Sequence, residues 1–265
     1  MRLATMQTQA TRGDAEAAFA RIRAALEAAA RAGAEMLVVP ELILPGYNDP
    51  EAHAREAQSL EGPWISRLSA LARGAGCGLT FGWAERSGAA CFNAATAIGP
   101  EGAILAHHRK IQLYGEMEEA SFRFGEEAPP VFELAGRRCG LLICYEVEFP
   151  QHAADLARRG ADLLLVPTAN PQGFDHVPRI LVPARAYESR LTIAYANYCG
   201  PDGDVSFGGL SVIVGPDGEP LAAAGRAPAL LIADLPAPEA YPEGRLSTQA
   251  ADLRKIGDPL ASGDL

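Results

Sequence analysis

The 265-residue chain contains no run of 18 or more apolar residues, which excludes a helix that crosses a membrane. Its start, MRLATMQTQATRGD, is broken by polar residues too early for the apolar region of a signal peptide. Cysteine is scarce and irregularly spaced. Cys77, Cys91, Cys139, Cys144 and Cys199 are an odd set without a CxxC pair, so a disulfide framework is not expected. A reduced, cytoplasmic protein is the expectation. No GxGxxG follows the first apolar segment and no GxxxxGK[ST] occurs, which argues against dinucleotide and P-loop phosphate binding. The histidines His53, His107, His108, His152 and His176 form no HExxH and no pair at helical ligand spacing, so no metal site is expected. The absence of GxSxG lowers a serine-hydrolase reading.

Positive charge is also in short supply. Lys+Arg total 23 against 33 Asp+Glu, a net charge of −10, which disfavours nucleic acid and anionic membranes as partners. Only two of the basic residues are lysines, Lys110 and Lys255. Where a chain otherwise uses arginine, a retained lysine hints that a compact ammonium is needed; Lys255, in the tail, shows how mild the hint is. With 48% apolar and 21% charged residues, the chain is globular.

Apolar patterning predicts alternating strands and helices. Strands are expected at 2–8, 36–40, 78–86, 92–99, 103–108, 139–145, 161–167, 192–198 and 230–235. Helices are expected near 14–31, 63–72, 150–159 and 178–190, with a long polar loop over 111–130. Residues 236–265 form a Pro- and Gly-rich tail with one amphipathic stretch, LSTQAADLRKI. His107 and His108, adjacent on a strand, should point to opposite faces.

The chain also repeats itself. ARAGAEMLVVPE (30–41) and ARRGADLLLVPT (157–168) share seven of twelve residues, and IGPEG (98–102) echoes VGPDG (214–218). Two similar halves, each with a helix-to-strand unit and a hairpin, suggest two sheets packed face to face with helices outside. That is an α/β, four-layer α-β-β-α sandwich. The repeat by itself leaves a doubly wound single sheet open.

Three chemistry-bearing residues each end an apolar strand. Glu41 follows MLVVP, where α/β sheets place ligand crevices; otherwise it is a solvated glutamate or a helix cap. Cys144 ends CGLLIC at a strand-to-helix turn, where backbone N–H groups can favour thiolate; otherwise it is a core cysteine. Lys110 ends ILAHHR, and beside a thiol its ammonium would lower the Cys pKa or hold an oxyanion; otherwise it is a surface lysine. Cys91 and Cys139 lie inside strands and read as core residues.

In this order, VVPELILPGY (38–47), HRKIQLYGEMEEASFRFG (108–125) and GLLICYEVEFP (140–150) resemble the active-site motifs of the nitrilase superfamily of carbon–nitrogen hydrolases. VPTAN (166–170), RAYES (185–189) and YANYCG (195–200) resemble later blocks of that family, so the likeness spans residues 2 to about 235. The resemblance implies the α-β-β-α fold, a domain over 1–240, a tail over 241–265 at an oligomer interface, and a homodimer or higher homo-oligomer. It implies Cys144 as nucleophile, Glu41 as general base, and Lys110 with the Tyr145 N–H as oxyanion donors. The family's second glutamate falls among Glu116, Glu118 and Glu119, and its distance from the lysine and from Gly125 best matches Glu118. Relatives commonly end this loop F-x-P-G, where this chain reads Phe122-Arg123-Phe124-Gly125. Tyr47, Tyr145, Glu148, Asn170 and Asp175 are candidates for substrate contact. No metal or organic cofactor is needed, because the thiol performs the covalent step.

Substrate choice turns on charge. Carboxylate-binding branches often read C-Y-D-x-R-F-P, whereas Glu148 stands here in C-Y-E-V-E-F-P. An anionic substrate would meet a like charge and an amine an opposite one. The motifs look closest to 5-aminopentanamidase-like aliphatic amidases. A nitrilase, an ω-amidase or an N-carbamoyl-amine hydrolase would share the triad. Outside catalysis, the same fold could serve an inactive binding protein or a redox-sensing thiol, Cys199 being the candidate partner. For Glu148 and Asp175, structural salt bridges are the competing reading.

Overall fold

The computed structural model describes residues 1–254. The end of the amphipathic stretch LSTQAADLRKI, with Lys255, lies outside the described residues.

Two six-stranded sheets carry the fold. The first contains β1 (Arg2–Gln7), β2 (Met36–Val38), β3 (Gly78–Ser87), β4 (Ala90–Ile98) and β5 (Ile104–Arg109). The second contains β6 (Val131–Leu134), β7 (Arg137–Leu141), β8 (Leu163–Pro167) and β9 (Thr192–Ala196). After a small hairpin of β10 (Cys199–Asp202) and β11 (Val205–Gly208), the second sheet is completed by β12 (Val212–Val214) and β13 (Pro220–Ala223). The last strand, β14 (Ala229–Asp234), returns to the first sheet and pairs antiparallel with β1.

The strand orders are β14-β1-β2-β3-β4-β5 and β6-β7-β8-β9-β12-β13. In each, a parallel trio is flanked by antiparallel strands. The duplication read from the two LVP segments is therefore a duplication of sheet topology, with β2 matching β8. The single doubly wound sheet is excluded.

Alternation decides the layers. Met36 and Val38 of β2, with Leu163 and Leu165 of β8, point between the sheets and join Leu3, Leu141 and Ile213 in the central core. Leu37 points the other way, into a cluster with Phe19, Ile22 and Leu26 of α1 (Ala15–Arg31). Asp14 caps α1 by accepting the Ala17 N–H, and the buried positions Ala18, Phe19, Ile22, Leu26 and Ala29 form one stripe. Burying each large side chain of that stripe contributes about 1.5–3 kcal/mol. After the short α2 (Pro50–Glu56), α3 (Pro63–Ala75) completes this outer layer with Trp64, Ile65 and Leu68. On the opposite face Leu164 and Val166 meet residues of α5 (Pro150–Arg158) and α6 (Val182–Ser189), the latter preceded by a π-turn at Val177–Leu181; between the two outer layers in chain order lies α4 (Gly115–Ser121). The result is the four-layer α-β-β-α sandwich.

The structure departs from the expected elements at four places. The polar loop 111–130 contains α4, and α2, β6 and the β10–β11 hairpin were not anticipated. α4 escapes periodicity because its one buried residue is a glutamate, Glu118, on a helix of only seven residues. The expected amphipathic stretch forms a single short helix, α7 (Gln249–Asp252), against α6.

Candidate active site

The three candidate residues follow strands of both sheets. β2 delivers Glu41, β5 delivers Lys110, and β7 leads through Leu142 and Ile143 to Cys144. Glu41 reaches its place because β3 carries no side chain at Gly82. A Cβ there would stand 2.5 Å from the Glu41 Cα and the Leu42 nitrogen. Gly125 does the same for the lysine: a Cβ would come within 2.2 Å of the Arg109 carbonyl, and its N–H donates to the Lys110 carbonyl at 2.8 Å. The unusual ending Phe122-Arg123-Phe124-Gly125 thus keeps the one residue that this close approach requires.

Lys110 is fully buried. Its ammonium donates to Glu41 Oε1 at 2.6 Å and to both Glu118 oxygens at 2.8 and 2.9 Å. Of the three competing glutamates, Glu118 is the one buried and bonded to the lysine. The Tyr47 hydroxyl donates to Glu118 Oε1 at 2.7 Å and the Tyr114 N–H to Oε2 at 3.1 Å. Glu41 Oε1 also accepts from Asn93 Nδ2 at 2.7 Å, while Glu41 Oε2 is buried without a hydrogen-bond partner among the described residues. Asn93 fixes the lysine as well, because its carbonyl accepts the Lys110 N–H at 2.8 Å.

Burial sets the charge states. It raises the Glu41 carboxyl to about 7; the Lys110 ammonium opposes this rise and the Glu118 carboxylate adds to it. Burial also works against the Lys110 ammonium, yet Glu118 and Glu41 outweigh it and hold its pKa above the ordinary value. The Cys144 thiol is pushed well up by burial and then by Glu41, against Lys110 and the Ala169 N–H, which pull it down. The lysine and the backbone N–H act in the sense expected of them, and burial acts against both. Among the described residues, Glu41 Oε2 is the carboxylate oxygen of this cluster left without a hydrogen-bond partner. Cys144 itself sits at φ +47°, a left-handed conformation that non-glycine residues adopt rarely, at the start of a 3₁₀ turn over Cys144–Glu148.

An aromatic cluster adjoins the cysteine turn. Tyr114 packs edge-on against Tyr145 and Phe174, with ring centroids 5.2 and 6.2 Å apart, and Tyr145 packs against Phe149 at 4.9 Å. Glu148 is half-buried; burial raises its carboxyl, while His176, Lys110 and Arg185 favour the charged form. Arg185 donates to the Glu148 carbonyl and forms its ion pair with Glu188, leaving the Glu148 carboxylate outside that pair.

Other candidates have different tasks. Tyr47 is committed to Glu118. Asn170 is buried and donates through Nδ2 to the Phe174 carbonyl at 3.2 Å, holding the loop that carries Phe174. Asp175 is paired with Arg226 and lies 3.9 Å from Arg179, the salt-bridge alternative foreseen for it. His107 and His108 diverge as expected, His107 bonding Glu85 and His108 bonding Glu146. Sequence reasoning missed Asn93 and Glu146. For Asn93 a signal existed, since an asparagine inside an apolar strand must find buried partners. Among the described residues, no three His, Cys, Asp or Glu side chains converge as metal ligands, and no helix is long and apolar enough to cross a membrane.

A sandwich with a buried Glu–Lys–Glu cluster near a cysteine on the turn that follows β7 is the scaffold of a thiol hydrolase class. The carbon–nitrogen hydrolase family model matches residues 2–242, and the chain belongs to that family. A solved amidase from Nesterenkonia sp. AN1, an active-site variant in complex with butyramide, is 41% identical, with TM-score 0.85 over 89% of this chain and 91% of that one. The "hydrolase in pqqF 5'region" of Pseudomonas protegens is 42% identical over 76% of this chain and 72% of its own. An (R)-stereoselective amidase of Pseudomonas sp. is 33% identical over 72% of this chain and 69% of its own. The resemblance read from the three motifs is borne out, and the chain is a carbon–nitrogen hydrolase.

Proposed function

We propose that the chain hydrolyses a small aliphatic amide to a carboxylic acid and ammonia through a thioester on Cys144. The observation that carries this reading is the buried Glu41–Lys110–Glu118 cluster, near enough to Cys144 for its charges to act on the thiol, with Glu41 Oε2 left without a hydrogen-bond partner among the described residues. The Cys144 sulfur attacks the amide carbon as Glu41 takes its proton, and the carbonyl π-bond becomes an oxyanion. Lys110 and the Tyr145 N–H hold that oxyanion; loss of one such donor typically costs 10²–10³ in rate. The intermediate collapses, the C–N bond breaks, and nitrogen leaves as ammonia with the proton from Glu41. Water then attacks the thioester, giving a proton to Glu41, which returns it to sulfur as the acid departs. Glu118, held by Tyr47, orients Lys110 throughout.

For the acyl group, we favour an ω-amino amide such as 5-aminopentanamide, on the strength of Glu148 alone, since Asp175 is engaged by Arg226. Aromatic rings flanking a carboxylate suit an alkyl chain that ends in a cation. A unit charge pair at about 4 Å is worth about 4 kcal/mol at an effective dielectric near 20, and a quarter of that gives about fivefold discrimination. Ammonia release should be measured on 5-aminopentanamide, pentanamide and glutaramate, beside a nitrile and an N-carbamoyl amine. The amino amide should show the highest kcat/KM, and Glu148→Gln should shrink its advantage mainly through KM. Equal rates on the three amides overturn the charge argument, and a preference for glutaramate makes the chain an ω-amidase. We extend the proposal to a cytoplasmic setting, supported by five unpaired thiols, and to a homo-oligomer with the 241–265 segment at its interface, which sedimentation tests.

A further inference from the structure

The buried pair His108–Glu146 lies outside the chemistry above, yet it joins the two segments that supply it. His108 is 3% exposed and Glu146 is fully buried. The His108 Nε2 stands 3.1 and 3.0 Å from the two Glu146 oxygens. Glu146 Oε1 accepts the N–H of Ile111, the residue after Lys110, at 2.6 Å, and Oε2 accepts the N–H of Ile143, the residue before Cys144, at 2.7 Å. The Glu146 N–H in turn donates to the Ile143 carbonyl at 3.1 Å, the backbone bond that closes the first 3₁₀ turn at the cysteine. One carboxylate therefore grips the backbone beside both residues, across two different sheets.

We propose that Glu146 and His108 are positioning residues for the reaction: their pair sets the spacing between the Lys110 ammonium and the Cys144 sulfur and holds the turn at the cysteine. The inference rests on the roles given to Cys144 and Lys110. The physical reason is directionality. Between the sheets, β5 and β7 otherwise meet through apolar side chains, which hold the faces together but are indifferent to small sliding. Hydrogen bonds to a buried carboxylate are short, directional and charge-assisted. They also hold Cys144 at its positive φ, a conformation the backbone would leave if released. A misplacement of about 1 Å in such a site can cost about 10²-fold in rate.

The test uses the full chain and three variants. His108→Leu removes the donor to Glu146, His108→Gln keeps an N–H at similar reach, and Glu146→Gln keeps the volume but turns one acceptor into a donor. Iodoacetamide alkylation, localised to Cys144 by peptide mass, gives the thiol's reactivity and the number of competent sites. Butyramide hydrolysis gives kcat per competent site and KM. His108→Leu and Glu146→Gln should lower kcat per site at least about tenfold and slow alkylation at least about fivefold, with KM within about threefold. His108→Gln should recover most of both. A merely structural role would lower Tm and the number of competent sites while leaving both per-site rates within about twofold, and that result overturns the proposal. Should one substitution prevent folding, the other position decides. If Cys144→Ala retains butyramide hydrolysis, the catalytic reading itself fails, and the positioning role with it.

Discussion

Replacing Glu118 with glutamine tests the electrostatic core of the proposed mechanism. Glu41 and Glu118 both touch the Lys110 ammonium, at 2.6 and 2.8 Å, so their charges lie within about 5 Å of one another. At an effective dielectric near 20, two like charges at that distance repel by about 3 kcal/mol, equivalent to about two pKa units. Burial and that repulsion together hold the Glu41 carboxyl at about 7. In Glu118→Gln the repulsion disappears, while burial and the pull of Lys110 remain. The base should therefore ionise more easily, and its titration should move to lower pH. Allowing for partial screening, a downward move of about one unit is expected. The assay is ammonia release from butyramide between pH 4.5 and 9, with kcat/KM plotted against pH and circular dichroism confirming the fold at each point. The intact chain should show an acid limb with its midpoint near 7, because Glu41 must be ionised to accept the thiol proton. The variant should show that limb near 6, with kcat lowered at least about tenfold because the glutamine amide turns a donor toward the lysine. A midpoint that stays at 7 or rises would refute the coupling between the two glutamates, and with it the identification of the limb with Glu41.

Cys144→Ala should abolish turnover while leaving the fold intact, and intact-mass analysis of the unmodified chain during turnover should detect the acyl adduct; residual activity in the alanine variant would sink the nucleophile assignment. Lys110→Arg should lose at least about 10²-fold in kcat, because a planar fork cannot occupy the space of a compact ammonium shared by three carboxylate oxygens; normal turnover would remove Lys110 from the site. Away from the site, burial would raise the Glu85 carboxyl, but hydrogen bonds from Arg109 and His107 outweigh it and hold it at about 2. A carboxyl so depressed contributes up to about 3 kcal/mol of stability above pH 4.5, lost as pH falls through about 2. Denaturant midpoints should therefore place Glu85→Gln below the unmodified chain at pH 7 and bring the two together near pH 2; a difference that is constant with pH would contradict the assignment.

The layers of this protein were legible before any coordinates. MLVVP and LLLVP are apolar enough to be buried on both faces, and their repetition suggested two similar sheets while leaving a single doubly wound sheet open. Glu41, Lys110 and Cys144 were legible for the same reason, since a reactive side chain at the end of a buried strand has few places to go except the crevice. Motif spacing favoured Glu118 over Glu116 and Glu119, although all three lie within one short polar stretch. The packing of α4 is what buries Glu118 against the lysine and brings up Tyr47, which lies 71 residues away. The same holds for Asn93 on Glu41 and for His108 on Glu146, pairs separated by 52 and 38 residues. For the Cys144 thiol, local sequence shows only part of the balance. The lysine and the backbone N–H are visible in the chain's order, whereas the desolvation that overrides them is a property of everything packed around the sulfur. Periodicity and strand ends are written locally, residue by residue. Charge state and register belong to groups brought together across two sheets, and those exist only once the chain has folded.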